Sequence, residues 1–151
     1  MHRLLLFVPC EKVILSQGDN AATLINLMQG LAVPSNLPID AALPITWFAY
    51  AQWERGETDI ETRIDLVAPN ATVMSSTLGE IVFESDKRFH RMLVRNHGFR
   101  FLGGGDYWLR LYRRPRASQE AFIEIAAYPI PMALGPEMPI VGQPSPSSST
   151  A

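Results

Sequence analysis

Apolar residues recur every second position along most of the chain, the period of a strand with one face buried, rather than every third or fourth as on a helix. In the clearest run Ile60, Thr62, Ile64, Leu66 and Ala68 point one way while Glu61, Arg63 and Asp65 point the other. Alternation of this kind predicts an antiparallel strand with one wet face. Upstream, Ile45, Trp47, Ala49, Ala51 and Trp53 alternate with Thr46, Phe48, Tyr50 and Gln52. Bulky groups on both faces predict a strand that is central or covered. Leu4, Leu5, Leu6, Phe7 and Val8 read as a buried strand, Ile81 and Phe83 as part of another, and Ile123 and Ile125 as a late one.

Turn chemistry punctuates these runs. Gln17-Gly18-Asp19-Asn20 lies between Val13-Ile14-Leu15 and Thr23-Leu24-Ile25-Asn26-Leu27, which predicts an opening hairpin. The polar segment Glu54-Arg55-Gly56-Glu57-Thr58-Asp59 reads as a second hairpin connection. Residues 33–44 carry three prolines and read as a long crossover between sheets. Gly103-Gly104-Gly105-Asp106 turns the chain into a strand with Tyr107, Leu109 and Leu111 on one face and Trp108, Arg110 and Tyr112 on the other. A Gly-x-Tyr approach to a late strand often ties down the preceding corner through the tyrosine hydroxyl.

Residues 86–97 admit two readings. Phe89, Met92 and Leu93 have helical spacing, with Ser85 or Asp86 as a cap and Gly98 as a stop. Phe89, Arg91, Leu93 and Arg95 also alternate, and Phe99-Arg100-Phe101 continues an extended pattern beyond Gly98 through a bulge.

About eight short strands with regular turn signals predict an all-β, two-sheet antiparallel sandwich, because one sheet cannot cover so many apolar faces. A closed barrel is the alternative. The domain is expected to span residues 1–128, followed by a disordered Pro/Ser-rich tail over 129–151, where Pro129, Pro131, Pro136, Pro139, Pro144 and Pro146 precede Ser147-Ser148-Ser149.

Composition narrows the setting. At 151 residues the chain suits one core, and 47% hydrophobic with 19% charged residues is ordinary for a globule. Cys10 is the single cysteine, which excludes an intrachain disulfide and a cysteine-cluster zinc site and favours a reducing, cytoplasmic compartment. The apolar run at 4–8 is too short for a leader and is followed by Pro9, Glu11 and Lys12. No stretch approaches the ~18 apolar residues of a membrane span, so no membrane partner is expected.

Catalytic chemistry finds little footing. There is no Gly-x-Ser-x-Gly, Cys10 sits in an apolar strand, and His2, His90 and His97 lack a metal-ligand spacing. The glycines at 103–105 open a strand rather than the helix that phosphate binding uses. Glu54, Glu57, Asp59 and Glu61 read as a solvated edge, with a divalent cation such as calcium as the minor reading.

Charge segregation is the feature that stands out. Residues 44–86 hold eight acidic and two basic residues, whereas 87–116 hold nine basic and one acidic, and the net charge of −2 conceals the split. One reading is cross-strand pairing, with Glu61 and Asp65 facing Arg91, Arg95 or Arg110. The other is a positive surface built from Arg91, Arg95, Arg110, Arg113, Arg114 and Arg116 with Trp108 and Tyr112 interleaved. Guanidinium forks and aromatic faces together suit a nucleotide, a nucleic-acid strand or an acidic protein.

Glu11-Lys12-Val13, the turn at Gly18, Thr23-Leu24-Ile25-Asn26-Leu27 and Gly105-Asp106-Tyr107 together give a chain that resembles a group of small bacterial proteins catalogued only as a domain of unknown function. The likeness covers roughly residues 3–128. It implies a cytoplasmic β-sandwich and supplies no activity and no catalytic residues.

The expectation is a non-enzymatic binding or protein-interaction module without a cofactor, using a protein partner or a second copy of itself. Its binding residues are expected to be Arg91, Arg95, Trp108, Arg110, Tyr112 and Arg114. The alternative is a sensor of an anionic ligand, such as a nucleotide or oligonucleotide, on the same basic, aromatic-bearing surface.

Overall fold

The structure, a computed structural model, describes residues 2–18 and 21–137. Nine strands run in order: β1 (Arg3–Leu15), β2 (Ala22–Leu27), β3 (Leu31–Pro34), β4 (Ala42–Glu54), β5 (Ile60–Val67), β6 (Val73–Ile81), β7 (Phe89–Arg100), β8 (Gly105–Pro115) and β9 (Ile123–Gly135). They form a four-stranded sheet in the order β2-β1-β4-β7 and a five-stranded sheet in the order β3-β9-β8-β5-β6. The fold is all-β in two sheets, as the alternation predicts, and one of the sheets curls into a half-barrel.

The inner faces meet in one core. Phe7, Trp47, Trp53 and Phe99 from the four-stranded sheet pack against Ile60, Ile64, Leu109, Leu111 and Ile130 from the other. Burying this much apolar area is the main favourable term in holding the sheets together. Thr62 is a polar residue inside the core, and its hydroxyl donates to the Gly79 carbonyl at 3.3 Å and approaches Met92 Sδ of the facing sheet at 3.2 Å. A second cluster of Val8, Cys10 and Tyr50, with Phe48 and Leu24 packed against it, lies on the other side of β4. Both faces of β4 are therefore covered, as its bulky residues require.

The connections follow the sequence signals in part. The opening hairpin forms, with β1 and β2 antiparallel and Leu15 opposite Ala22; Asp19 and Asn20 of its turn lie outside the described residues. The crossover is shorter than expected, since Val33 and Pro34 already belong to β3 and β4 begins at Ala42. Residues 54–59 are not a hairpin connection. They carry the chain from β4 in one sheet to β5 in the other, and a polar glycine-bearing segment specifies a bend without specifying which strands it joins. One pair, β3 with β9, is parallel, and the others are antiparallel.

Two uncertain segments are strands. Residues 89–100 form β7, with the bulge at Gly98: its φ is +79°, and the register with β4 shifts between Leu43 and Thr46. Pairing along the whole length of β4 outweighs the local helical spacing. The tail expected from residue 129 is also corrected, because β9 continues through Pro129 and Pro131 to Gly135 and buries Ile130 and Met132. Proline is tolerated where one flank of a strand lacks a partner. β3 pairs with β9 only from Met132 onward, so no strand pairs with that flank beside either proline. The rest of the expected tail, from residue 138, lies outside the described residues.

The tyrosine corner is present. The Leu102 amide donates to Tyr107 Oη at 2.8 Å, and the Tyr107 hydroxyl donates to the Gly103 carbonyl at 2.7 Å. The ring is fully buried and meets Phe99 edge-on at 5.1 Å. Gly105, at φ +120° with its Cβ position 3.2 Å from Pro69, lets the chain turn into β8.

Two outcomes follow. Tyr107→Phe keeps the ring but strands the Leu102 amide and the Gly103 carbonyl, and should cost roughly 1–3 kcal/mol in urea unfolding with an unchanged m-value. Ile130→Ala should cost about 2–5 kcal/mol, a loss that a tail residue at that position would not produce and that a thermal melt would detect.

Candidate functional site

The structure divides the expected site between two sheets. Trp108, Arg110, Tyr112 and Arg114 share the outward face of β8 in the five-stranded sheet, whereas Arg91 and Arg95 lie on β7 at the edge of the four-stranded sheet. The six residues are not one surface.

On the β8 face the charges are matched. Register places Glu61 opposite Arg114, Arg63 opposite Tyr112 and Asp65 opposite Arg110. Arg114 Nε lies 2.6 Å from Glu61 Oε2, Arg110 Nη1 lies 3.3 Å from Glu124 Oε2, and Arg63 Nε lies 3.2 Å from Asp65 Oδ1. Arg116 meets Asp59 at 3.5 Å and Glu80 at 3.4 Å. The Ser76 hydroxyl donates to Asp65, which is buried. The Arg114 hydrogen bond, aided by the Ala117 amide, holds the Glu61 carboxyl below its usual range. Arg63 lies over the Tyr112 ring at 4.3 Å and Arg114 over Phe122 at 4.4 Å. These contacts make a cross-strand ladder of ion pairs and cation–π stacks whose partners are internal. Glu61 and Asp65 meet groups on β8, on β6 and on their own strand; they do not face Arg91 or Arg95.

The β7 face is different. Arg91, Leu93 and Arg95 lie opposite Gln52, Tyr50 and Phe48 of β4, none of which carries a carboxylate. The Tyr50 hydroxyl donates to Gln52 Oε1 at 3.2 Å; burial raises the Tyr50 pKa and nearby Arg91 opposes the rise, so at neutral pH the phenol is uncharged and leaves the guanidinium charge in place. None of the ion pairs among the described residues involves Arg91, Arg95 or Lys12.

Beside this strand is a groove of about 720 Å³, within the ~300–1,000 Å³ typical of small-ligand clefts. Its apolar wall is formed by Leu27, Met28, Leu31, Ile45, Trp47 and Phe48, and its polar groups are Lys12, Arg95, Glu11 and Asn26. Asn26 donates to Glu11 Oε2 at 2.7 Å, which occupies that carboxylate, and two cations against one anion leave the groove positive. The Trp47 indole donates to the Gly98 carbonyl at 3.2 Å, fixing the ring that forms part of the wall. Sequence reading found Arg95 but missed Lys12 and the wall, because residues from β1, β2, the 28–31 segment and β4 converge only after folding.

A smaller cavity of about 310 Å³ lies near His2, Thr58 and Arg113. Arg113 donates to the His2 carbonyl at 2.9 Å, and Glu57 and Glu120 line the same space, so its charge is balanced. Burial, then Arg113, lowers the His2 pKa. The ring Nε2 lies 3.3 Å from Thr58 Oγ1, but Nδ1 is buried without a hydrogen-bond partner, so the ring lacks the orienting group that a hydroxyl–imidazole nucleophile uses. Cys10 is fully buried and its thiol pKa is raised by that burial, the opposite of an activated thiolate. Among the described residues no three His, Cys, Asp or Glu side chains gather to hold a metal ion, and no helix is long and apolar enough to cross a membrane.

No protein-family model and no curated protein matches the chain, so the resemblance to small bacterial sandwich proteins gains no support from relatives and the site stands on its own geometry.

Proposed function

We propose that the chain is a non-enzymatic binding module that takes a partner or ligand with both apolar and anionic parts at the Arg95 groove and the adjoining face of β7. One observation carries the reading: among the described residues the arginines of the β8 face are joined to carboxylates, whereas Arg91, Arg95 and Lys12 have no such partner and flank an apolar groove. An unmatched cation beside apolar surface favours an anionic, partly apolar occupant, since water alone satisfies the charge but not the wall. A protein partner or a second copy of the chain each qualifies. A single cysteine, free and buried, supports a reducing cytoplasmic setting.

The alternative reading, a nucleotide or oligonucleotide sensor on the β8 face, is favoured by the outward run of Trp108, Arg110, Tyr112 and Arg114. It requires Arg110 and Arg114 to exchange Glu124 and Glu61 for phosphate, which sets the cost of breaking two existing pairs against the gain.

Titration with 8-anilino-1-naphthalenesulfonate, an apolar aromatic sulfonate, separates the two. The groove reading expects one saturable site that Arg95→Glu weakens about tenfold, or roughly 1.4 kcal/mol, and that added salt weakens as well. Arg110→Glu should leave that affinity unchanged while lowering the thermal midpoint, because it sets a carboxylate against Glu124. Loss of binding in Arg110→Glu with Arg95→Glu unaffected would move the site to β8, and absence of any saturable binding would remove the groove reading.

A further inference from the structure

We infer that the partner is an extended acidic segment that adds a strand to the open flank of β7; this deepens the binding role proposed for the face and rests on it. β7 is held on one side by β4 through nine consecutive register pairs, from Thr46 opposite His97 to Glu54 opposite Phe89, and on its other side no strand among the described residues is hydrogen-bonded to it, although β6 comes near it at Gly79 and Met92. Such a flank presents a row of backbone donors and acceptors, which an incoming strand matches in the ordinary ladder.

Edges in native sheets are usually blunted by shortness, proline, bulges or charge. Two of the other edges here are blunted by backbone. β3 has four residues and contains Pro34, and β2 has six and carries Asn26 at φ +53°. β6 is longer but offers no run of charge of one sign. β7 has neither proline nor break between residues 89 and 97, and its protection is electrostatic.

That protection is selective. Arg91, Leu93 and Arg95 succeed one another on one face with period two, and no residue of β7 is acidic. A second β7 laid antiparallel against the first brings arginine against arginine, so self-pairing at this edge is opposed. The same spacing fits a strand with Asp or Glu at positions i and i+4 and an apolar residue at i+2, where directly opposed side chains form two ion pairs around one apolar contact. Main-chain bonds supply affinity and the alternating side chains supply the choice of partner.

A displayed library of random decapeptides, selected on the full chain, tests this. The enriched peptides should carry acidic residues four apart with an apolar residue midway. N-methylation of the consensus peptide at one set of alternate residues should weaken binding about tenfold or more, and at the other set far less, because only every second amide of an added strand faces its neighbour. Selection on Arg91→Glu/Arg95→Glu, once circular dichroism shows it folded, should return basic residues at the acidic positions. No enrichment, a consensus without the two-residue spacing, or indifference to N-methylation would overturn strand addition. Indifference to N-methylation with sulfonate binding still sensitive to Arg95→Glu removes strand addition and leaves the groove reading standing; loss of both effects removes both.

Discussion

β4 must be buried on both faces, and that constraint sets the rest of the architecture. Trp47, Ala49, Ala51 and Trp53 face the other sheet, while Phe48 and Tyr50 on the opposite side join the cluster around Cys10. A strand with two apolar faces is stable only inside a sheet and under cover on each side. β1 and β7 flank it, the 54–59 segment leads away to the facing sheet, and β7 is left at the margin. The position of the cationic strand at an edge is thus a consequence of apolar packing on its neighbour β4.

The same topology explains why charge is matched in one place and unmatched in another. The acidic half of the central sequence runs through β4, β5 and β6, and the basic half through β7 and β8. β8 pairs with β5, so Arg110 and Arg114 come to lie opposite Asp65 and Glu61. β7 is carried into the other sheet beside β4, whose single carboxylate, Glu54, is at the far end and meets Arg3 and Arg88. Arg91 and Arg95 therefore lie opposite Gln52 and Phe48. Two basic strands of similar composition differ in what they offer a partner because their neighbours differ.

Period-two alternation is a local property, and much of what it encodes was legible: β5 and β8 with their wet and dry faces, the two-sided β4 and the corner tied by Tyr107 follow from residues close in sequence, whereas Leu5 and Leu6, read as buried, are exposed, Phe83 lies beyond the end of β6, and β3 runs into the segment read as a crossover. Strand order is not local. Nothing in residues 54–59 says that β4 and β5 part company, and nothing in Arg91, Arg95, Arg110 and Arg114 says that two of them go to each sheet. Pro129 and Pro131 hid the end of β9 because proline was read as a break, although Tyr128, Ile130 and Met132 keep the alternation between them and only one flank of the strand there needs no amide. Of the candidate site, the arginines were visible as residue types, but the apolar wall beside Arg95 is assembled from two stretches far apart in sequence, 27–31 and 45–48, and has no signature in either of them.

Edge strands and charge together bear on how the strand addition inferred for β7 would choose its partner. Arginine on an edge strand opposes its pairing with the same strand of another copy, at no cost to the ladder with β4, whereas proline or a bulge would close the flank to every partner alike. Electrostatic protection is thus the one device that discriminates among incoming strands by their sign. It also makes occupancy depend on ionic strength, because exposed charges are screened over about 8–10 Å in physiological salt whereas main-chain bonds are not. Affinity carried by the backbone with choice carried by Arg91 and Arg95 predicts that salt erodes discrimination faster than it erodes binding, a separation that a groove binding a free anion through charge alone does not produce.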